Sequence, residues 1–345
     1  MISVCLFNNK GGVGKTTLSC NIAAHLAQKY KKRVLLVDCD PQCNATQLLL
    51  DESIITKFYR SKDTRNTGTI LDVLRPLQVG EPTIGKDIHP QLAKANRFGI
   101  DVIPGHPRLS ILEDVLSESW GECTSGKIGG IRKTNWCSAL HKSLDKDYDV
   151  AFFDIGPSLG SLNRSVLLGV QHFMSPVGAD LFSVFGIRNI AEWLRQWLRA
   201  YSTGLKLAED ISPGVLDEYS VLAEPLIRKG FAGYTIQQYI TKSTGGVRRA
   251  TQAYERILRG IPNEVETSLG RFFATVVNSQ NVHLGDVPHM YSLVPLAQSA
   301  NAPIRALTSA DGLAGSQFKQ AEKYRDDLDL IVKSLAANIE LPIGK

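Results

Sequence analysis

Residues 9–17 read Asn9-Lys10-Gly11-Gly12-Val13-Gly14-Lys15-Thr16-Thr17, and this stretch constrains everything around it. On its N-terminal side Ile2-Ser3-Val4-Cys5-Leu6-Phe7 is short, apolar and β-branched, which predicts a buried strand. On its C-terminal side Leu18, Ile22, Ala23, Leu26 and Ala27 recur at helical spacing as far as Tyr30. Strand, glycine loop and helix in this order are the setting a phosphate-binding loop requires. Gly11, Gly12 and Gly14 carry no Cβ, so the loop can take positive φ angles and turn successive N–H groups inward. Together with the positive end of the helix, those donors make a nest for β- and γ-phosphates. Lys15 adds a point charge there, and the Thr16 hydroxyl is placed to ligate Mg²⁺. The general phosphate-loop pattern asks for a glycine six residues before Lys15, where this chain has Asn9.

Outward from the loop, Arg33-Val34-Leu35-Leu36-Val37 predicts a second strand, ending in Asp38-Cys39-Asp40-Pro41-Gln42. Asp38 and Asp40 are two apart, hence expected on the same side of the strand end. Asp149-Val150-Ala151-Phe152-Phe153-Asp154 is a further apolar strand ending in a carboxylate, suited to holding the water shell of a magnesium ion. Thr69 to Leu74 predicts a helix, Ile100 to Gly105 a strand, and Phe185 to Tyr201 a helix. Trp193 and Trp197, one turn apart on that helix, read as packing. The alternation predicts one α/β domain over residues 1–345, a mostly parallel, doubly wound sheet with helices on both faces. Its motifs should gather at the C-terminal ends of the strands.

The loop begins with an additional lysine, and Lys-Gly-Gly-Val-Gly-Lys-Thr-Thr resembles the deviant Walker A motif of the ParA and MinD family of P-loop ATPases. The resemblance is strongest to ParA-type partition proteins. Val37 to Gln42 is similar to the family's V-D-x-D-P-Q segment, and Asp154 to Gly160 to its D-x-P-P-S-L-G, with Gly156 where a proline is common. Further similarity lies at Phe173–Val177, Val287-Pro288-His289 and Ala302-Pro303-Ile304. The resemblance implies ATP and Mg²⁺ as cofactors, with Gly11, Gly12, Val13, Gly14, Lys15, Thr16 and Thr17 around the nucleotide and Thr16, Asp38 and Asp154 around the metal. It implies a homodimer closed by ATP, Lys10 reaching the partner's nucleotide, and Asp40 positioning the hydrolytic water, so that Lys10, Lys15 and Asp40 form the catalytic set. Gln237 aligns with the family asparagine that contacts adenine, and an amide serves that purpose equally. The implied activity is a weak, partner-stimulated ATPase that segregates DNA with a ParB-like or other protein activator. Residues 121–135 and 203–229 are absent from short family members and read as surface insertions, the first composed like an exposed loop.

Lys and Arg total 39 against 34 Asp and Glu, an excess that permits contact with nucleic acid without demanding it, so the placement of the cations matters more than the sum. Lys242, Arg248, Arg249, Arg256 and Arg259 face a single acid, Glu255. If this segment is helical, Arg249, Arg256 and Arg259 fall near one face, which suits neutralising phosphates without reading sequence. The cysteines show no C-x-x-C pair, and Cys39 and Cys43 lack a second ligand pair for metal, so a reducing compartment is expected. A signal peptide is not expected, since Met1 leads into residues 2–7 with no basic n-region or small-residue cleavage site, and no apolar run reaches the ~18 residues of a membrane span. Phe318, Ala321, Tyr324, Leu328, Ile331, Val332 and Leu335 form a stripe flanked by Asp326, Asp327 and Asp329, which predicts a docking helix rather than a lipid anchor. A cytoplasmic protein is expected, associated with the nucleoid if it binds DNA. The competing reading is a regulatory or positioning ATPase acting on a protein partner, for example in defence or motility. The departures at Gly156 and Gln237 and the two extra segments keep it open.

Overall fold

Alternation along the strands sorts side chains into two cores. Cys5, Leu35, Val37, Ala151 and Phe153 point to one face of the sheet, and Val4, Leu6, Val34, Leu36, Val150 and Phe152 to the other. Both sets are buried, which is why these strands are apolar at most positions, apart from Ser3 and the closing Asp38 and Asp154, and why helices cover both faces. The computed structural model describes residues 1–60, 68–239, 242–244, 247–249 and 252–344.

The strands are β1 (Ile2–Leu6), β2 (Val34–Asp38), β3 (Asp101–Ile103), β4 (Val150–Asp154), β5 (His172–Gly178), β6 (Phe231–Tyr239), β7 (Lys242–Thr244), β8 (Val247–Arg249) and β9 (His283–Pro288). Seven of them form one sheet in the order β3-β2-β4-β1-β5-β6-β9, every pairing parallel. β7 and β8 form a separate antiparallel hairpin. On one face lie α1 (Lys15–Tyr30), α2 (Asn44–Leu49) and α3 (Glu52–Arg60). The opposite face carries α4 (Ile70–Gln78), α5 (Ser110–Thr124), α6 (Ile128–Thr134), α7 (Trp136–Leu144), α8 (Ser161–Gly169), α9 (Leu181–Ile211), α10 (Val215–Glu218) and α11 (Gln252–Leu269). α12 (Leu293–Ser299) and α13 (Gln317–Asn338) return to the first face. The expected doubly wound α/β architecture is therefore present, with a fully parallel main sheet.

α13 docks as its stripe predicts, with Ala321, Tyr324, Leu328, Ile331, Val332 and Leu335 buried and Phe318 left exposed. Asp329 ties it to α1, accepting from His25, Tyr30 and Lys29, with Lys333 beside it. Burial pushes that carboxyl up, but its four donors outweigh the push and hold it well below the usual range.

Three expectations change. Residues 121–135 are not an exposed loop: they finish α5 and form α6, burying Cys123, Gly130 and Ile131. Gly130, which reads as loop composition, is the close-approach point of the two helices, since a Cβ there would run into Glu122 and the backbone of Cys123. In residues 203–229, Thr203 to Ile211 are the last turns of α9, so the helix expected to end near Tyr201 runs on to Ile211 and is 31 residues long in all. The basic segment from Lys242 is not one helix. Lys242 and Arg248–Arg249 pair across the β7–β8 hairpin and α11 begins only at Gln252, so Arg249 shares no helix face with Arg256 and Arg259. The side chains of Lys242, Arg248 and Arg249 lie outside the described residues.

Candidate nucleotide-binding site

The loop between β1 and α1 sits where the sheet's winding reverses, with β4 on one side of β1 and β5 on the other. Gly12 and Gly14 have φ of 75° and 77°, left-handed conformations that favour glycine. Gly14 immediately precedes the first turn of α1, whose N–H groups have no side-chain cap. Asn8 braces the loop: its Nδ2 donates to the Pro176 carbonyl (2.8 Å) and its Oδ1 accepts from Lys10 N (2.9 Å).

The cations at this end are held by internal acceptors. Lys15 is buried, and its Nζ donates to the carbonyls of Asn8 (3.0 Å) and Lys10 (3.1 Å). Burial lowers its pKa, opposed by the charges of Asp154 and Asp40. Lys10 Nζ pairs with Asp180 Oδ2 at 2.6 Å, in a half-exposed position. Asp180 also caps α9, accepting from the Ser183 N–H and hydroxyl. Burial would raise the Asp180 pKa, but Lys10 and Ser183 bring it below its ordinary value.

The carboxylates divide into three environments. Asp154 is fully buried at the end of β4; one oxygen accepts from the Thr16 hydroxyl (2.8 Å) and the other has no partner among the described residues. Burial, reinforced by the nearby Asp38, pushes its pKa up to about 8. Asp38, also fully buried, turns toward α2: it accepts from the Thr46 N–H (2.8 Å), the Thr46 hydroxyl (2.6 Å) and Asp40 N (3.2 Å). Burial raises its pKa to about 6. Asp40 lines the cavity beside the loop and accepts from Gln42 N (2.9 Å). Opposite it, a Cβ on Gly156 would come within 3.2 Å of the Asp40 carboxylate, so glycine leaves that group room.

Two cavities meet at the start of α1. The first, about 670 Å³, is lined by Gly11, Gly12, Gly14, Lys15, Thr16, Thr17 and Asp40, with Asn44 and Pro157 at its margin. The second, about 260 Å³, shares Gly14 and Thr17 with it and is walled by Val287, Pro288, Met290, Val294 and Pro295. Gln237 borders this apolar pocket, its Nε2 donating to Thr235 Oγ1 (2.9 Å). One cavity has the donors and charge for phosphates; the other has flat apolar walls and an amide for a base. Among the described residues no cluster of three or more His, Cys, Asp or Glu side chains could hold a metal by itself. A hard cation that keeps waters and takes few protein ligands fits the unpartnered Asp154 oxygen and the Thr16 hydroxyl, and Mg²⁺ has that character.

The structure thus brings Lys15, Thr16, Thr17, Asp40 and Gln237 onto adjoining cavities and sets Asp154 directly behind Thr16. It turns Asp38 away from the cavity lining. Sequence reasoning missed Asp180, which meets Lys10 only because β5 lies beside β1. The polar residue before an α9 start was its one local signal.

A parallel α/β sheet with a glycine loop at its reversal point and lysine and threonine opening the next helix is a P-loop nucleotidase. The sequence model of the AAA domain family matches residues 1–207, and the chain belongs to this family, as a P-loop ATPase of the ParA/MinD type. It is 30% identical over 185 residues to the virulence plasmid ParA family protein pGP5-D of Chlamydia muridarum, which covers 54% of this chain and 58% of that protein. To the chromosome-partitioning ATPase Soj of Thermus thermophilus it is 30% identical over 206 residues, 59% of this chain and 66% of Soj. The chain spans about three-fifths of the length of these curated relatives. Among solved structures, protein DIP2308 from Corynebacterium diphtheriae superposes with a TM-score of 0.74 at 32% identity, covering 98% of this chain and 99% of that one. The ParA of pNOB8 shares the fold at a TM-score of 0.56 and 17% identity, over 98% of each chain. No helix of the described residues is long and apolar enough to cross a membrane.

Proposed function

We propose that this chain is an ATP-driven dimerising switch of the ParA type that binds DNA non-specifically in DNA segregation. The observation that carries the reading is the junction of the phosphate cavity and the apolar pocket at Gly14 and Thr17, which lets one helix N-terminus serve a whole nucleotide. When bound, Mg²⁺ neutralises charge on the β- and γ-phosphates. With a nucleotide bound, Lys15 would exchange the carbonyls of Asn8 and Lys10 for phosphate oxygens, and Thr16 and Asp154, now hydrogen-bonded to each other, are the residues that would hold the Mg²⁺. The unpartnered Asp154 oxygen would be free to support that cation, while Asp38 acts on the site through Asp40 N and Thr46. Asp40 orients the attacking water, with Gly156 leaving it space. Gln237 reads the base edge.

Lys10 leaves Asp180 and crosses to the nucleotide of a second protomer, so the closed dimer lasts as long as its ATP. Hydrolysis is slow unaided and is hastened by a ParB-like or other protein activator, which makes the chain a timer acting in the cytoplasm on the nucleoid. Equilibrium binding of a fluorescent ATP analogue in Mg²⁺ tests the foundation. Wild-type protein binds and Lys15→Ala does not; equal affinity would remove the loop from nucleotide binding.

A further inference from the structure

The cations of the nucleotide end have internal acceptors, but in a second set four of six have no carboxylate partner among the described residues. α9 descends from Asp180, at the nucleotide end of β5, and its lower half carries Arg195, Arg199 and Lys206 with Ser202 between them. Spacings of four, three and four residues put all of these on one helical stripe, a span of about 17 Å at 1.5 Å per residue. Arg228 and Lys229 lie just before β6, at the N-terminal edge of the parallel sheet, and Arg271 follows α11. These segments close a groove of about 870 Å³ at the end of the molecule away from the glycine loop.

All six cations are exposed, and among the described residues the only carboxylate in the lining is Glu192, paired with Arg195. The lining thus carries an excess of five positive charges, or four once Glu224 beside Arg228 is counted. Arg228 is positioned by Glu224 (2.6 Å) and by the Ser202 hydroxyl (2.8 Å). Arg199, Lys206, Lys229 and Arg271 have no carboxylate partner among the described residues. Its hydrophobic lining, Leu198 and Phe272, is buried beneath the rim, 3% exposed in each case, so there is no apolar anchor of the kind protein interfaces use. Arginines, lysines and hydroxyls along a groove, with no exposed aromatic ring for stacking, match a phosphodiester backbone.

We propose that this groove binds the sugar–phosphate backbone of duplex DNA and is a DNA-contact surface separate from the β7–β8 hairpin and α11. The proposal deepens the DNA-binding part of the reading above and rests on it. Residues 203–229, extra to short relatives, then have a purpose: they lengthen α9 and supply Lys206, Arg228 and Lys229.

The test is fluorescence anisotropy of a labelled duplex of arbitrary sequence with the full chain, Mg²⁺ and ATP across a salt series. The variants are wild type, Arg199→Ala/Lys229→Ala/Arg271→Ala, and Arg256→Ala/Arg259→Ala. The groove variant should lose at least about tenfold in affinity, and its log K against log salt slope should be shallower by about one per contact removed. Its basal ATPase rate and melting temperature should match wild type, since none of the three touches the nucleotide cavities. A groove variant that binds as wild type does overturns the groove and leaves the partition reading standing. A wild-type protein that binds no duplex with ATP or ADP overturns both. Groove-dependent capture of a glutamate-rich peptide, with no capture of duplex, overturns the proposal in favour of an acidic protein partner.

Discussion

The two ends of the sheet hold their positive charge in opposite ways. At the glycine loop, Lys15 rests on two backbone carbonyls and Lys10 on Asp180, so each cation already has an internal acceptor. In the groove at the far end, Arg199, Lys206, Lys229 and Arg271 are exposed, with no carboxylate partner among the described residues. Internal acceptors fix geometry and desolvate a charge, which suits a site that must recognise one ligand in one pose. Solvated cations impose no pose and are screened by salt, which suits a surface for a repeating polyanion. The difference separates a pocket built for one pose from a surface that imposes none.

That contrast can be broken most severely at Lys15. Lys15→Ala should weaken Mg·ATP binding by at least about a hundredfold, as the loss of a buried charge-assisted contact would. The wild-type ATP affinity should also vary little with salt compared with DNA affinity in the groove. Calorimetric titration at low and high salt checks both, and an ATP affinity as salt-sensitive as the DNA affinity would erase the distinction.

The buried carboxylates give a second, intermediate effect. Asp154 and Asp38 are raised to about 8 and about 6, so the folded chain binds more protons than the unfolded one between roughly pH 4 and pH 8. Nucleotide-free stability should therefore fall as pH rises through that window. Stabilisation by Mg·ATP should grow over the same range, because a metal-facing Asp154 must lose its proton, and should level off above about pH 8. Melting curves with and without Mg·ATP from pH 5 to pH 9 measure both slopes. A flat nucleotide-free profile would show that these carboxylates do not carry the burial penalty.

The smallest effect belongs to the apolar pocket. Gln237→Ala removes one neutral amide contact and should cost ATP about fivefold in affinity, the scale of a single hydrogen bond. The discrimination between ATP and GTP should fall with it. Unchanged affinity and unchanged base preference would move base recognition elsewhere on the pocket wall.

Much of the nucleotide end was legible in the sequence because its signals are local. The glycine loop, the Thr16 that follows it and the carboxylate closing β4 each announce their place in the fold within a few residues. Period-two sorting in strands buried on both faces made the doubly wound sheet readable as well. What stayed hidden depends on distant segments meeting. Asp180 reaches Lys10 across 170 residues, Asp38 is turned aside by Thr46 on a later helix, and Gly130 is a helix contact that reads as a loop. The groove draws its cations from three segments between Arg195 and Arg271, so no single run of sequence looks basic enough to notice.

The switch itself is decided by sedimentation velocity of Asp40→Ala protein, which should bind ATP without discharging it. With Mg·ATP it should run as a dimer and with Mg·ADP as a monomer, and adding Lys10→Ala should return it to monomer in both. A single-protomer species with ATP demonstrably bound would contradict the account and leave a nucleotide-binding domain without its switch.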